Sequence, residues 1–256
     1  ALDFAHTVGY PVVVKPDSGV GANNTYKLSS DEDLKFFMDH KGDEVYIMEE
    51  YVRGYVQTFD AIVDSKGQPL FESGNITPES IMDIVNDNRD STYYLVKNVP
   101  ENIRSAGLRT VKAFGVKSRF IHLEFFVLSE DQAGLGKKGD VLGLEVNMRP
   151  AGGYTPDMYN YSQETDVYKI WADMVCFDKN TKPIGAHHYC AFYGRRDGTH
   201  YKLDDYEIMM KYRDHMVMNG RIPDALSGAM ANQMYVATFD TQEELDQFYS
   251  DMEEKF

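Results

Sequence analysis

The sequence predicts a fold of mixed α and β elements, α+β or α/β. Two observations carry this: strand-like and helix-like stretches alternate along the 256 residues, and no internal repeat or low-complexity tract interrupts them. A helix-like start leads into Gly9, and Val12 to Val14 reads as a short buried strand. Ser30 followed three residues later by Asp33 resembles a capping box, and Leu34, Phe37 and Met38 share a stripe, so 31–40 reads as a helix ended near Gly42. Val45 to Met48 is the next strand. Tyr55 to Asp64 alternates and is turned by Ser65-Lys66-Gly67 into a partner strand near Pro69 to Glu72. Pro100 opens a helix in which Ile103, Leu108, Val111 and Phe114 fall on one face before Gly115. Strands are expected over 119–128 and 141–148, separated by the polar loop 129–140. Beyond Pro156 the pattern gives a helix over 164–177, a strand over 187–193, a helix over 204–218 and a strand over 234–239. Thr241 to Glu244 is a capping-box pattern opening a last helix that buries Leu245, Phe248, Tyr249 and Met252.

Composition narrows the function classes. Twenty-six basic against 41 acidic residues leave a formal charge of -15, which repels a phosphate backbone and argues against nucleic acid as a partner. No apolar run reaches the length of a membrane span. Cys176 and Cys190 are too few for a disulfide framework, so a reducing, cytoplasmic setting is expected. With no signal segment visible, the three Asn-x-Ser/Thr sequons are read as chance. The first residue, Ala1, reads as the start of a fragment whose preceding part is absent.

Three stretches carry chemistry. In LGLEVNMRPAGG, Glu145 and Asn147 stand two residues apart on a strand and share a face. If the loop between the two strands is centred near residue 135, Glu124 of RFIHLEFFVL falls about opposite residue 146, and three oxygen-bearing side chains cluster. Two carboxylates across a hairpin repel each other unless a positive charge sits between them, and such a donor set suits magnesium. The plain alternative is a solvated polar face neutralised by Arg149 or Arg119. In GYPVVVKPDSGVGANN, Lys15 ends a strand, and Gly19 and Gly21 let backbone N–H groups approach phosphate oxygens; a tight turn between strands would use the same residues. The third stretch, YIMEEYVRG, runs from a strand into a connector able to present backbone groups to a base edge. The glycines of GLGKKG match G-x-G-x-x-G but lie between hairpin strands, outside the strand-to-helix context that a dinucleotide site requires.

Together and in this order, the three stretches resemble the ATP-grasp superfamily of carboxylate-amine ligases, with motif support over residues 1 to about 160. The resemblance implies an α+β fold of two lobes with the nucleotide between them: a small lobe over 1–52, and over 53–256 a large lobe with a mainly antiparallel sheet. It also implies that Lys15 contacts phosphate and adenine, that the loop from Ser18 through Gly19 to Gly21 closes over the phosphates, and that Glu49, Glu50 and Val52 bind adenine. Glu124, Glu145 and Asn147 would hold Mg2+, with Mn2+ as the alternative ion, and Arg149 would stabilise the transferring phosphoryl group or acyl phosphate. The implied reaction is ADP-forming ligation of a small-molecule carboxylate and amine by ATP, with homodimerisation open. A purine-biosynthetic or carbamoyl-phosphate-type enzyme and a catalytically weak nucleotide-binding module are the alternatives.

Two departures from the family pattern stand out. Val56 occupies the place of the usual ribose-binding glutamate, leaving Gln57 or Asp60 as candidates. Ala151 and Gly153 stand where biotin carboxylases carry Gln and Glu, which disfavours biotin carboxylation. His122 shares the expected face of Glu124 and is read first as a packed strand histidine, and His187 and His188 as structural, since adjacent strand residues point to opposite faces.

Overall fold

A computed structural model describes residues 1–18, 24–78 and 88–256. Among the described residues there are eight helices and two antiparallel sheets, and no helix is long and apolar enough to cross a membrane. The fold is α+β.

The first sheet has three strands, ordered β2-β1-β3: β1 (Val12–Pro16), β2 (Tyr26–Leu28) and β3 (Tyr46–Glu50). Helices α1 (Leu2–Val8) and α2 (Asp31–His40) accompany it. Ser30 caps α2 by accepting the Asp33 amide at 3.1 Å, as the capping pattern foretold. Val12 and Val14 alternate inward on β1 and pack with Ala5, Leu34 and Phe37, so one face of this sheet is closed by helix side chains. Val13, Lys15 and Glu49 belong to the other face.

The second sheet holds nine strands. Its main path runs β11-β12-β10-β7-β6-β4-β8-β9, with β5 beside β4. Their ranges are β4 (Gly54–Val63), β5 (Pro69–Ser73), β6 (Asn75–Thr77), β7 (Ser91–Leu95), β8 (Arg119–Leu128), β9 (Val141–Asn147), β10 (Tyr189–Arg195), β11 (Met216–Arg221) and β12 (Gln233–Phe239). β4 and β8 pair over ten residues each, from Gly54 against Leu128 to Val63 against Arg119. Both faces of this central pair are covered, which is why its sequence is nearly continuous in apolar residues rather than cleanly alternating. On one face Phe59, Ala61, Val63, Ile121, Leu123 and Phe125 pack with Ile103, Ala106 and Val111 of α3 (Glu101–Ala113). On the other, Ile62 and Phe120 pack with Met158, Tyr159, Ile170 and Met174 of α4 (Thr155–Ser162) and α5 (Val167–Phe177). Each fully buried side chain of this size contributes about 1.5–3 kcal/mol of apolar transfer.

Four features differ from the sequence pattern. The helix expected over 164–177 is present but starts later, at Val167: Glu164 takes a left-handed φ of 44° and Asp166 caps α5 by accepting the Lys169 amide at 3.0 Å, while a separate, unexpected helix, α4, precedes it. The helix expected over 204–218 stops at Lys211 in α6 (Asp205–Lys211); Met216 to Arg221 pairs with β12 instead, tertiary pairing overriding local propensity. Phe114, expected on the buried face, lies beyond the end of α3 and is 62% exposed. The short strands β2, β6 and β7 and helix α7 (Asp224–Met230) carry too little periodicity to be seen. The last helix, α8 (Gln242–Glu253), has its full capping box, Thr241 accepting the Glu244 amide while Glu244 accepts the Thr241 amide.

Gly107 lets α3 approach β4 closely, since a Cβ there would stand 2.3 Å from the Phe59 ring. Gly107→Ala is therefore expected to destabilise by about 1–3 kcal/mol through overpacking, against the helix propensity it gains. Gly228→Ala in α7 meets nothing within 4 Å and is expected to stabilise by up to about 1 kcal/mol. Urea unfolding reads both; equal midpoints for the two variants would contradict this packing.

Candidate functional site

Antiparallel pairing of β8 and β9 sets Glu124 directly opposite Glu145, one residue earlier than the hairpin geometry read from the sequence. Nearer the loop Phe125 pairs with Gly143, and an irregularity between Glu124 and Phe125 then advances the register so that Glu145, rather than Leu144, faces Glu124. Asn147 pairs with His122 and shares the face of Glu145. The Asn147 amide donates towards Glu124 Oε1 at 3.5 Å, so the three expected oxygen donors do come together.

The electrostatics of the pair are uneven. Glu145 is exposed, yet partial desolvation and the facing Glu124 charge raise its pKa above the ordinary carboxylate range. Glu124 is more enclosed; burial opposes its charge, but hydrogen bonding and attraction from His122 outweigh this and hold its pKa low. Arg149 favours ionisation of both, while its guanidinium donates to the Pro150 carbonyl at 2.9 Å.

Behind Glu124 lies a polar chain absent from the sequence reading. Burial alone would make His122 less basic, but Asp60 and Glu124 overcome it and raise its pKa to about 10. Its Nδ1 lies 2.5 Å from Asp60 Oδ1 and its Nε2 lies 3.2 Å from Glu124 Oε1, so both ring nitrogens donate. Asp60 is 0% exposed; Thr58 Oγ1 donates to its other oxygen at 2.5 Å and itself accepts the Asn75 amide at 2.9 Å. Asp60, one candidate for a ribose contact, is thus committed inside the protein. Strand register could have found this chain: Asp60 pairs with His122 and Thr58 with Glu124 across β4 and β8.

The donor set of Glu124, Glu145 and Asn147 fits a hard divalent cation. Two carboxylates face each other with an amide beside them, and magnesium characteristically takes only a few protein oxygens, keeping water and phosphate for the rest. Among the described residues no group of three or more His, Cys, Asp or Glu side chains is arranged as a metal cage.

On the small sheet, Lys15 Nζ pairs with Glu49 Oε2 at 2.6 Å, both partly exposed. Lys27, opposite Val13, shares this open face and lies 4.3 Å from the centre of the Tyr51 ring; sequence reasoning passed over it. Ser18 ends a described segment, and Gly19 and Gly21 lie outside the described residues.

Gln132, also missed, joins the connector to the hairpin loop. Its Nε2 donates to the Tyr51 carbonyl at 2.7 Å and to Glu50 Oε1 at 3.2 Å, and its Oε1 accepts the Arg53 amide at 3.0 Å. The Ser129 amide donates to the Arg53 carbonyl, and Arg53 pairs with Glu130 at 2.8 Å. Connector and hairpin loop are therefore one hydrogen-bonded unit, and among the described residues the backbone groups of Val52 between them stay unused. A recess of about 280 Å³, lined by Arg109, Phe114, Phe125 and Gly143, lies on the face of the hairpin away from the carboxylates.

Removing the Gln132 amide in Gln132→Ala is expected to speed hydrogen exchange at the Arg53 amide by about tenfold, the equivalent of about 1.4 kcal/mol lost from that bond. Unchanged protection at Arg53 would contradict the clamp.

No family model and no curated protein matches the sequence. Solved structures do match in fold. L-amino acid ligase from Bacillus licheniformis superposes with a TM-score of 0.68 at 16% identity, covering 95% of this chain and 62% of that one. N5-carboxyaminoimidazole synthetase from Staphylococcus aureus, solved with ADP, gives 0.65 at 11% identity, covering 98% and 63%. The biotin carboxylase domain of Hydrogenobacter thermophilus 2-oxoglutarate carboxylase, solved with MgADP and bicarbonate, gives 0.64 at 13% identity, covering 99% and 59%. The chain thus spans about 59–64% of the length of such structures. The chain shares the fold of these structures, as the resemblance to the ATP-grasp superfamily led one to expect.

Proposed function

We propose that this chain carries the nucleotide- and metal-binding lobes of an ADP-forming ligase that joins a carboxylate to an amine at the expense of ATP. The observation that carries the reading is the opposition of Glu124 and Glu145, with Asn147 on the same face and Arg149 two residues beyond it. Such a pair brings two carboxylates together beside Arg149, an arrangement that a divalent cation would complement. The small lobe over 1–52 and the large lobe over 53–256 are the units of this reading.

In it, Lys15 offers a point charge to phosphate, and the loop from Ser18 through Gly19 and Gly21 covers the phosphate chain. Glu49, Glu50 and the backbone of Val52 take the adenine edge, with Gln132 holding the connector in place. Bound magnesium, held by Glu124, Glu145 and Asn147, supplies positive charge to the phosphates. Arg149 stabilises the charge of the moving phosphoryl group. The carboxylate substrate attacks the γ-phosphorus: its oxygen forms the new P–O bond, the bond to the β–γ bridging oxygen breaks, and ADP leaves. The amine then attacks the acyl carbon, phosphate departs with the bonding pair, and the amine nitrogen loses a proton. This division of one condensation into two steps needs positioning and positive charge more than a protein nucleophile.

The likeness to L-amino acid ligase supports amino acids as the first substrates to test, and that to N5-carboxyaminoimidazole synthetase supports a purine-biosynthetic type of ligation as the second reading. Biotin carboxylation is disfavoured by Ala151 and Gly153, which stand where the biotin carboxylase pattern has Gln and Glu. The test is ADP release by the full-length protein, screened over amino acids, bicarbonate and ribotide amines. Glu145→Gln is expected to lower the turnover of whichever pair reacts by at least about 100-fold, since metal-held charge stabilisation is worth several kcal/mol. Turnover close to wild type would exclude Glu145 as a ligand. For Lys15→Ala the expectation is a nucleotide dissociation constant raised about tenfold or more, in keeping with a charge-assisted contact. An unchanged constant would exclude the phosphate role.

A further inference from the structure

We propose that His122, anchored by buried Asp60, is a positioning residue for the metal site: it fixes the Glu124 carboxylate in the orientation that completes the donor set. This rests on the metal reading of Glu124, Glu145 and Asn147 and adds to it a supporting device that no sequence motif singled out.

Three observations carry it. His122 is 9% exposed and each ring nitrogen has its own carboxylate, Asp60 Oδ1 at 2.5 Å and Glu124 Oε1 at 3.2 Å. The ring is therefore fixed at two points and cannot rotate without breaking a buried charge-assisted hydrogen bond. The anchor is rigid as well: Asp60 sits at 0% exposure on β4, and its other oxygen is held by Thr58, whose hydroxyl accepts the Asn75 amide of β6. Finally, the donation reaches only one oxygen of Glu124. Across the hairpin it is Glu145 that faces this carboxylate.

Glu124 would otherwise be pushed aside. It stands directly opposite another carboxylate, and two free glutamates swing apart before a cation arrives. The Asp60–His122 pair opposes that motion in advance, and a ligand already oriented binds metal more tightly than one that must be ordered. The strand register aims the ring at an anchor on one side and at the metal-side acid on the other.

The test measures metal affinity directly, by the electron paramagnetic resonance of free Mn2+ titrated into the full-length protein with a non-hydrolysable ATP analogue. His122→Phe keeps a ring and removes both N–H groups. Its Mn2+ dissociation constant is expected to rise about 10- to 100-fold, with metal-free analogue affinity within about twofold of wild type. Asp60→Asn keeps the shape of the anchor, serves if the Phe variant does not fold, and is expected to weaken Mn2+ at least about fivefold. A folded variant that binds Mn2+ as wild type does would overturn the proposal, as would a parallel loss of metal-free analogue binding, which marks general damage. Wild type that binds no Mn2+, or a Glu145→Gln variant that binds it normally, would overturn the metal reading itself and with it this inference.

Discussion

The repulsion between Glu124 and Glu145 is the interaction on which the site depends. Antiparallel pairing places them opposite each other, and Arg149 just beyond the hairpin attracts both. The surroundings respond on each side. Behind Glu124 the protein invests a buried histidine and aspartate, so that this acid stays ionised in place. Glu145 is left in contact with solvent, and its affinity for a proton rises because Glu124 is near. An acid pair divided in this way, one member held and one accessible, costs the hairpin stability, and in the proposed function it is the pair that receives the cation.

The sheet makes this arrangement affordable by using its two faces for different purposes. One face of β4 and β8 is mainly apolar and closed by α3, whose close approach at Gly107 leaves that side dense. The opposite face carries Thr58, Asp60, His122 and Glu124 in register before giving way to Ile62 and Phe120 over α4 and α5. A buried charged chain costs free energy unless every member is satisfied, and here each carboxylate and each ring nitrogen has a partner. The apolar face is what the fold can set against that cost.

Much of this was legible in the residues. LEVNMRP places Glu145 and Asn147 on one face by period alone, and the hairpin brings Glu124 to them; the bulge after Glu124, which moves the register by one, has no local signature. Caps at Ser30 and Thr241 were visible because their chemistry is local. Residues whose partners are distant in sequence were not. Gln132 acts on a connector some eighty positions earlier, and Asp60 on a histidine sixty-two positions later, so neither offers a motif. The strand at Met216 to Arg221 was hidden for the same reason: it exists because β12 is beside it.

The central claim is that the β8–β9 hairpin completes a magnesium-dependent nucleotide site. It is tested most directly by calorimetric titration of a non-hydrolysable ATP analogue into this chain, with and without magnesium. The account predicts saturable binding of one analogue per chain that tightens by at least about tenfold when magnesium is present, as expected of an ion bridging carboxylates and phosphates. Binding indifferent to magnesium, in a chain that otherwise takes up the analogue, would contradict it.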